Sequence, residues 1–158
     1  MKQTTYLLLV LLGSLMGCDK AAIDAQLQED IAAIEQDIAK RNLSAFEDDD
    51  AHFFYRHEVN IYNGIFPARN SGIRLVVNYD AEMLDGTVLH SSSVNPDTIP
   101  LDRAVIGWKL AAKHLNIGDK MQLWLPSNLA YGSDGNEWVP PNTPLYFNIE
   151  LVDIHPHF

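Results

Sequence analysis

"DRAVIGWKLAAKHLNIGDKMQLWLP", residues 102–126, decides the fold. Trp108, Ala111, Ala112 and Leu115 recur at helical spacing, while Lys109, Lys113 and His114 fall on the opposite side. The pattern predicts one short helix, with Asp102 able to cap its start and Gly118 just past its end. Residues 120–126 then change period, alternating apolar and polar as a strand does when one face is buried. A lone helix beside such strands buries its apolar side on one face of a sheet.

The rest of the sheet is read outward from there. "IRLVVNY" (73–79) sets Ile73, Leu75, Val77 and Tyr79 on one face. In "LDGTVLHSS" (84–92), Asp85-Gly86 turns that strand toward a second one ending at His90. "PLYFNIELVDI" (144–154) alternates again, and "HFFYRHEVNIY" (52–62) is aromatic and β-branched, hence a strand. "NGIFPARNSG" (63–72) and "SSSVNPDTIP" (91–100) read as loops. "SNLAYGSDGNEWVPPNT" (127–143) is a long turn-rich segment, of a length that small domains usually reserve for function. The expected class is α+β: a twisted antiparallel sheet, a half-barrel, wrapped around one short helix, with an N-terminal helix extension and no internal repeat.

The chain has 158 residues, 47% of them apolar, enough for one domain with a core. Asp and Glu number 21 against 11 Lys and Arg, a net charge of −10 that repels phosphate backbones. Nucleic acid is therefore not an expected partner.

The N-terminus is a different material. Lys2 precedes the uncharged run "YLLLVLLGSLMG" (6–17), too short to span a bilayer and suited to the apolar region of a signal peptide. The run ends at "LMGC", whose last residue, Cys18, is the only cysteine and so has no internal disulfide partner. "LMGC" resembles a bacterial lipobox, which implies cleavage before Cys18 and lipid attachment to its thiol. Several acyl chains, each worth about 0.8 kcal/mol per buried methylene, give stable anchoring. The expected location is the bacterial cell envelope, lipid-anchored on the periplasmic side; Asp19 leaves the leaflet open. The chain divides into a signal peptide (1–17), a lipidated amphipathic helix and linker (18–50) and a folded domain (51–158).

Residues 20–41 read as that helix, with Ile23, Leu27, Ile31, Ile34 and Ile38 in one apolar stripe and Gln, Glu, Asp and Lys on the other faces. The stripe fits packing on the chain's own domain, and its heptad-like spacing also leaves a weak homodimer open. "EDDD" (47–50) reads as a solvated turn without the further ligands of a calcium loop. His52 and His57, five apart, would point to opposite faces of a strand and share no metal; His155 and His157 lack a third ligand.

Reactive groups are scarce. No Gly-x-Ser-x-Gly elbow, phosphate-cradling glycine loop or His-Glu-x-x-His run occurs. What stands out is aromatic: Tyr79, Trp108, Tyr131, Trp138 and Phe147, at strand ends, the helix start and the long loop.

Those positions carry a resemblance. "VVNY", "LDGTVLHSS", "IPLDRAVIGWKLAAKHLNIGDKMQLWLPSNLAYG" and "WVPPNTPLYFNIEL" occur in order from about residue 73 to 154 and resemble the FKBP-type peptidyl-prolyl cis–trans isomerases. The resemblance implies a shallow apolar pocket between sheet and helix, acting on X-Pro bonds of polypeptide clients with no metal or organic cofactor. It implies that Tyr79, Trp108, Tyr131 and Phe147 line this pocket, with Trp108 as floor and the Tyr131 hydroxyl offered to a bound carbonyl. Ala104 and Val105 would present backbone groups, Val105 N–H toward the ligand, and Trp138 or Val139 would stand at the loop tip near the rim. The sequence departs from the family at three places: Leu89-His90 stand where Phe-Asp is usual, and Ile99 where an aromatic is common. His90 is expected in the pocket, since imidazole both donates and accepts; a solvent-facing histidine at the strand end is the other reading.

Overall fold

The computed structural model describes residues 25–61, 72–92 and 95–156. Cys18, the signal segment and the loop core at 62–71 lie outside the described residues. In chain order the elements are α1 (25–40), β1 (Phe46–Glu47), β2 (Phe54–Val59), β3 (Ile73–Met83), β4 (Val88–Ser91), β5 (Asp97–Pro100), α2 (Ile106–Ala111), β6 (Lys120–Leu125) and β7 (Leu145–Pro156). Single 3-10 turns occupy Leu101–Arg103, Ala112–His114 and Ser127–Leu129.

All the strand pairs are antiparallel, in the order β1-β2-β6-β7-β3-β4, with β5 on the first half of β3 where β4 holds the second. The Asp85-Gly86 turn forms as expected: Gly86 takes φ of +92°, and Asp85 Oδ1 accepts from Thr87 N–H at 2.8 Å. On one sheet face α2 packs through Trp108 and Ala111, with Ala112 and Leu115 beyond it, against Leu75, Val77, Leu123, Leu125 and Phe147. The approach is close at Gly107, where a Cβ would sit 2.4 Å from Leu125 Cδ1. Only glycine allows the helix to lie this near β6.

The helix starts differently from the sequence expectation. Asp102 lies inside the 3-10 turn Leu101–Arg103, and Val105 is the N-cap of α2, with no side chain capping it. The extra turn displaces Asp102 from the capping position, and it leaves backbone N–H groups at the helix start without a side-chain acceptor.

The second sheet face is also covered. Phe54, Trp124 and Tyr146 are cross-strand partners in one row, and α1 lays Ile34 and Ile38 over them. β6 is therefore buried from Met121 to Leu125 on both faces, where alternation predicts one exposed side. The polar face expected of α1 is not all solvated either. Asp37 is buried and accepts from Trp124 Nε1 at 2.9 Å and Arg41 Nε at 2.7 Å. Asp30, also buried, accepts from Gln26 Nε2 and from the backbone N–H of Ser127. Both carboxylates satisfy donors that would otherwise be stranded under the helix. Two residues past α1, Asn42 takes φ of 56°, the left-handed conformation typical just beyond a helix C-terminus.

His52 proves to sit in a turn rather than on the strand, at φ 57°, with Nδ1 2.9 Å from Glu47 Oε1. Among the described residues no group of three or more His, Cys, Asp or Glu is placed to hold a metal ion.

Candidate functional site

The floor is built first. Trp108, one turn into α2, is 5% exposed and meets two rings edge-on: Tyr79 of β3 at 5.1 Å and Phe147 of β7 at 5.6 Å. Such T-shaped contacts set the positive edge of one ring on the negative face of another, which fixes all three. β3 and β7 supply the walls because Ala81 pairs with Phe147 and Tyr79 lies two residues back on the same sheet face.

Above the indole is a hollow of about 240 Å³. Ile99 of β5, then Ala104 and Val105 between the 3-10 turn and α2, close one side; Tyr131 closes the other. Val105 donates no hydrogen bond among the described residues, so its N–H is free for a ligand. Tyr131 is 41% exposed, with its ring at the mouth. The Tyr79 hydroxyl titrates above its ordinary value, first because it is buried, then because the Asp97 charge and Tyr131 lie nearby. It stays a protonated donor at neutral pH.

Of the ten residues the sequence nominates, seven meet around this hollow: Tyr79, Ile99, Ala104, Val105, Trp108, Tyr131 and Phe147. Three do not. Trp138 is 71% exposed and outside the lining, because the loop tip is pinned instead by Asn136 Oδ1, which accepts from Trp138 and Val139 N–H at 2.8 Å each. Val139 is buried in the core. Leu89 packs on the core without reaching the hollow.

His90 also stands outside the lining, behind Tyr79. Its ring stacks on Tyr79 at 4.4 Å, with 21° between the planes, and its Nε2 lies 2.7 Å from Asp97 Oδ2. Ser92 Oγ donates to the same Asp97 oxygen. The Ser92 bond, then His90, hold the Asp97 carboxyl below its usual range. The His90 imidazole is thus held by a carboxylate of β5, and neither group lines the hollow.

Two lining or supporting residues escape sequence reading. Arg103 borders the hollow, and Asp97 orients His90. Arg103 immediately precedes the nominated Ala104, but nothing in its surroundings marks it; Asp97 is hidden in a proline-rich turn. A larger cleft, about 500 Å³, lies between α1 and the Ser127–Asn142 loop. It is not the better candidate: among the described residues no aromatic ring lines it, and the one ionisable residue, Asp30, is already engaged by Ser127 and Gln26.

Residues 67–152 match the family described as FKBP-type peptidyl-prolyl cis-trans isomerase. The chain is similar to the FKBP-type peptidyl-prolyl cis-trans isomerase FkpA of Escherichia coli K12, 37% identical over 84 residues, which are 52% of this chain and 31% of FkpA. It is 35% identical over 99 residues to the FKBP-type 22 kDa isomerase of the same strain, covering 61% of this chain and 47% of that protein. The matched region thus spans less than half the length of these curated relatives. Among solved structures, FkpA from Escherichia coli superposes with a TM-score of 0.68 at 26% identity, over 94% of this chain and 72% of that one. A peptidyl-prolyl isomerase from Pseudomonas syringae gives 0.67 at 28% identity, over 83% of this chain and 94% of that one. The family match, the half-barrel around α2 and the indole-floored hollow coincide on the same residues, and the chain belongs to the FKBP-type peptidyl-prolyl cis-trans isomerase family.

Proposed function

We propose that the chain catalyses cis–trans isomerisation of X-Pro bonds in exported polypeptides, at the cell envelope. The observation that carries this is the set of three interlocked rings, Tyr79, Trp108 and Phe147, under a hollow with the free Val105 N–H and the Tyr131 ring at its edge. Rotation about a prolyl bond breaks no σ-bond; its barrier, on the order of 18–20 kcal/mol for a peptide bond, is amide resonance. The twisted amide has lost that resonance and part of its dipole. An apolar floor therefore disfavours the planar form more than the twisted one. Val105 N–H and the Tyr131 hydroxyl hold carbonyls of the chain while the prolyl ring rests on Trp108. A thousandfold acceleration needs only about 4 kcal/mol.

The envelope role rests on residues 1–18, read as an export segment ending in a lipid-bearing cysteine. Uncatalysed prolyl isomerisation takes tens of seconds or longer, slow enough to limit folding of exported clients. Cys18→Ser should release the protein from the membrane fraction and abolish labelling with radioactive palmitate; retention of both would refute the anchor.

The activity is tested by isomerisation of a Leu-Pro tetrapeptide on the domain with α1 intact. Acceleration that Trp108→Leu abolishes supports the reading, and a rate equal to background refutes it. A second reading, a binding module or chaperone with little turnover, is favoured by Leu89, His90 and Ile99, which replace three residues usual at the family's site. Background isomerisation with retained suppression of client aggregation selects it.

A further inference from the structure

Among the described residues around the hollow, all are apolar or aromatic except Arg103. Arg103 ends the 3-10 turn Leu101–Arg103, which the Ala104 N–H to Leu101 carbonyl bond closes at 3.3 Å. Its side chain is exposed and makes no ion pair or hydrogen bond among the described residues. Of the other described cations, Arg41 pairs with Asp37 and Glu82, Arg56 with Glu58, Lys113 with Asp48, and Lys120 with Glu150. Lys40, Arg74 and Lys109 make no ion pair among the described residues and do not line the hollow. Among the described residues Arg103 is the one charged side chain bordering this apolar site, in a chain of net charge −10.

The chemistry of its position follows from its neighbours. Arg103 is two residues before Val105, whose free N–H would hold a carbonyl beside the bound proline. A substrate side chain flanking a proline held by Val105 N–H would come within reach of Arg103, which borders the same hollow. Guanidinium is weakly hydrated and matches a carboxylate with two parallel N–H donors. We infer that Arg103 sets substrate preference, selecting X-Pro segments with an acidic residue next to the proline and disfavouring basic ones. This deepens the isomerase reading and rests on it.

The pair is solvent-exposed, so the expected preference is about two- to fivefold. Peptides with Leu, Glu or Lys immediately before proline, and a second set varied immediately after it, are compared by kcat/KM and by Kd from quenching of tryptophan fluorescence. The wild type should favour Glu over Lys in at least one set, with the ratio collapsing in 0.5 M salt, as exposed charge interactions are screened within a few ångströms at that strength. Arg103→Gln should remove the preference and Arg103→Glu should reverse it. A Glu-to-Lys ratio unchanged by both variants overturns the assignment even if every peptide is isomerised. If no peptide is isomerised, the isomerase reading fails, while the Kd ratios still decide whether Arg103 selects acidic segments.

Discussion

Asp30, on the N-terminal helix, accepts a hydrogen bond at 2.7 Å from the backbone N–H of Ser127, four residues before Tyr131. Ser127 opens the 3-10 turn Ser127–Leu129 that leads to the mouth of the hollow. A helix outside the residues matched to the family thus ties down a wall of the site. Both groups are buried, so Asp30→Ala leaves the Ser127 amide without an acceptor, at a cost of roughly 1–3 kcal/mol. Thermal unfolding should move down by roughly 3–10 °C. KM for a Leu-Pro peptide should rise as the Tyr131 wall loosens. Asp30→Asn keeps an acceptor oxygen and should lie nearer the wild type. An Asp30→Ala protein with unchanged melting and KM would show that α1 is dispensable to the loop.

Tyr131 permits a cleaner separation of binding from folding. It is 41% exposed and outside the buried core, so removal of its hydroxyl should leave the melting temperature within about one degree. One hydrogen bond to a carbonyl contributes about 0.5–1.5 kcal/mol, equivalent to about a two- to tenfold fall in kcat/KM for Tyr131→Phe. Equal rates in the two proteins would remove the hydroxyl from the mechanism.

His90 yields a prediction that runs against sequence logic. By family pattern alone, restoring Phe at 89 and Asp at 90 should raise activity. In the structure, however, position 90 faces a carboxylate, Asp97 Oδ2, 2.7 Å from His90 Nε2. A second carboxylate at position 90 faces the first, and it also removes the imidazole that stacks on Tyr79. His90→Asp should therefore lower both the melting temperature, by a few degrees, and kcat/KM at pH 7. Combining it with Asp97→Asn should recover most of the loss. A single His90→Asp variant with raised activity would mean that His90 and Asp97 do not act as a pair.

The contrast shows where sequence is readable. Period alone located β3 and the inward residues Trp108, Ala111, Ala112 and Leu115, since burial on one face imposes a pattern. The aromatic lining came through the family resemblance, which fixes residues by motif order and not by their surroundings. Long-range partnerships left no such trace. Gln122 and Trp124 share the face of β6 opposite Met121, Leu123 and Leu125, which alternation marks as the solvent side, yet both are buried because α1, some 85 residues earlier, covers that face. Asp37 and Asp30 read as solvated helix charges because their partners, Trp124 and Ser127, are equally remote. Asp102 was misplaced by an inserted 3-10 turn, and His90 by an acid seven residues away whose contact depends on how β4 and β5 share β3.

The 3-10 turn that follows α2, Ala112–His114, holds a half-buried histidine whose titration should make stability depend on pH. His114 stacks on Tyr55 at 4.5 Å with 26° between planes, touches Phe53 edge-on, and holds Nε2 3.6 Å from Asp48 Oδ2, beyond hydrogen-bond reach. Its pKa lies below the ordinary 6.5, first through burial, then through the Lys113 charge, with His57 adding to the fall; Asp48 pulls the other way and does not prevail. The unfolded chain therefore binds a proton before the folded one does. Stability is full above pH 6.5 and falls as pH drops from there toward the folded value. Asp48, Asp85 and Asp97 are held below the usual 3.8 and stay ionised between pH 7.5 and 5.0, so they do not confuse the measurement. Tyr55 and Phe53 can pack on a phenyl ring as they do on imidazole, so His114→Phe preserves the stack while abolishing the titration. Melting temperatures recorded over that range should decline less in His114→Phe than in the wild type. Parallel declines would assign the acid sensitivity to other groups.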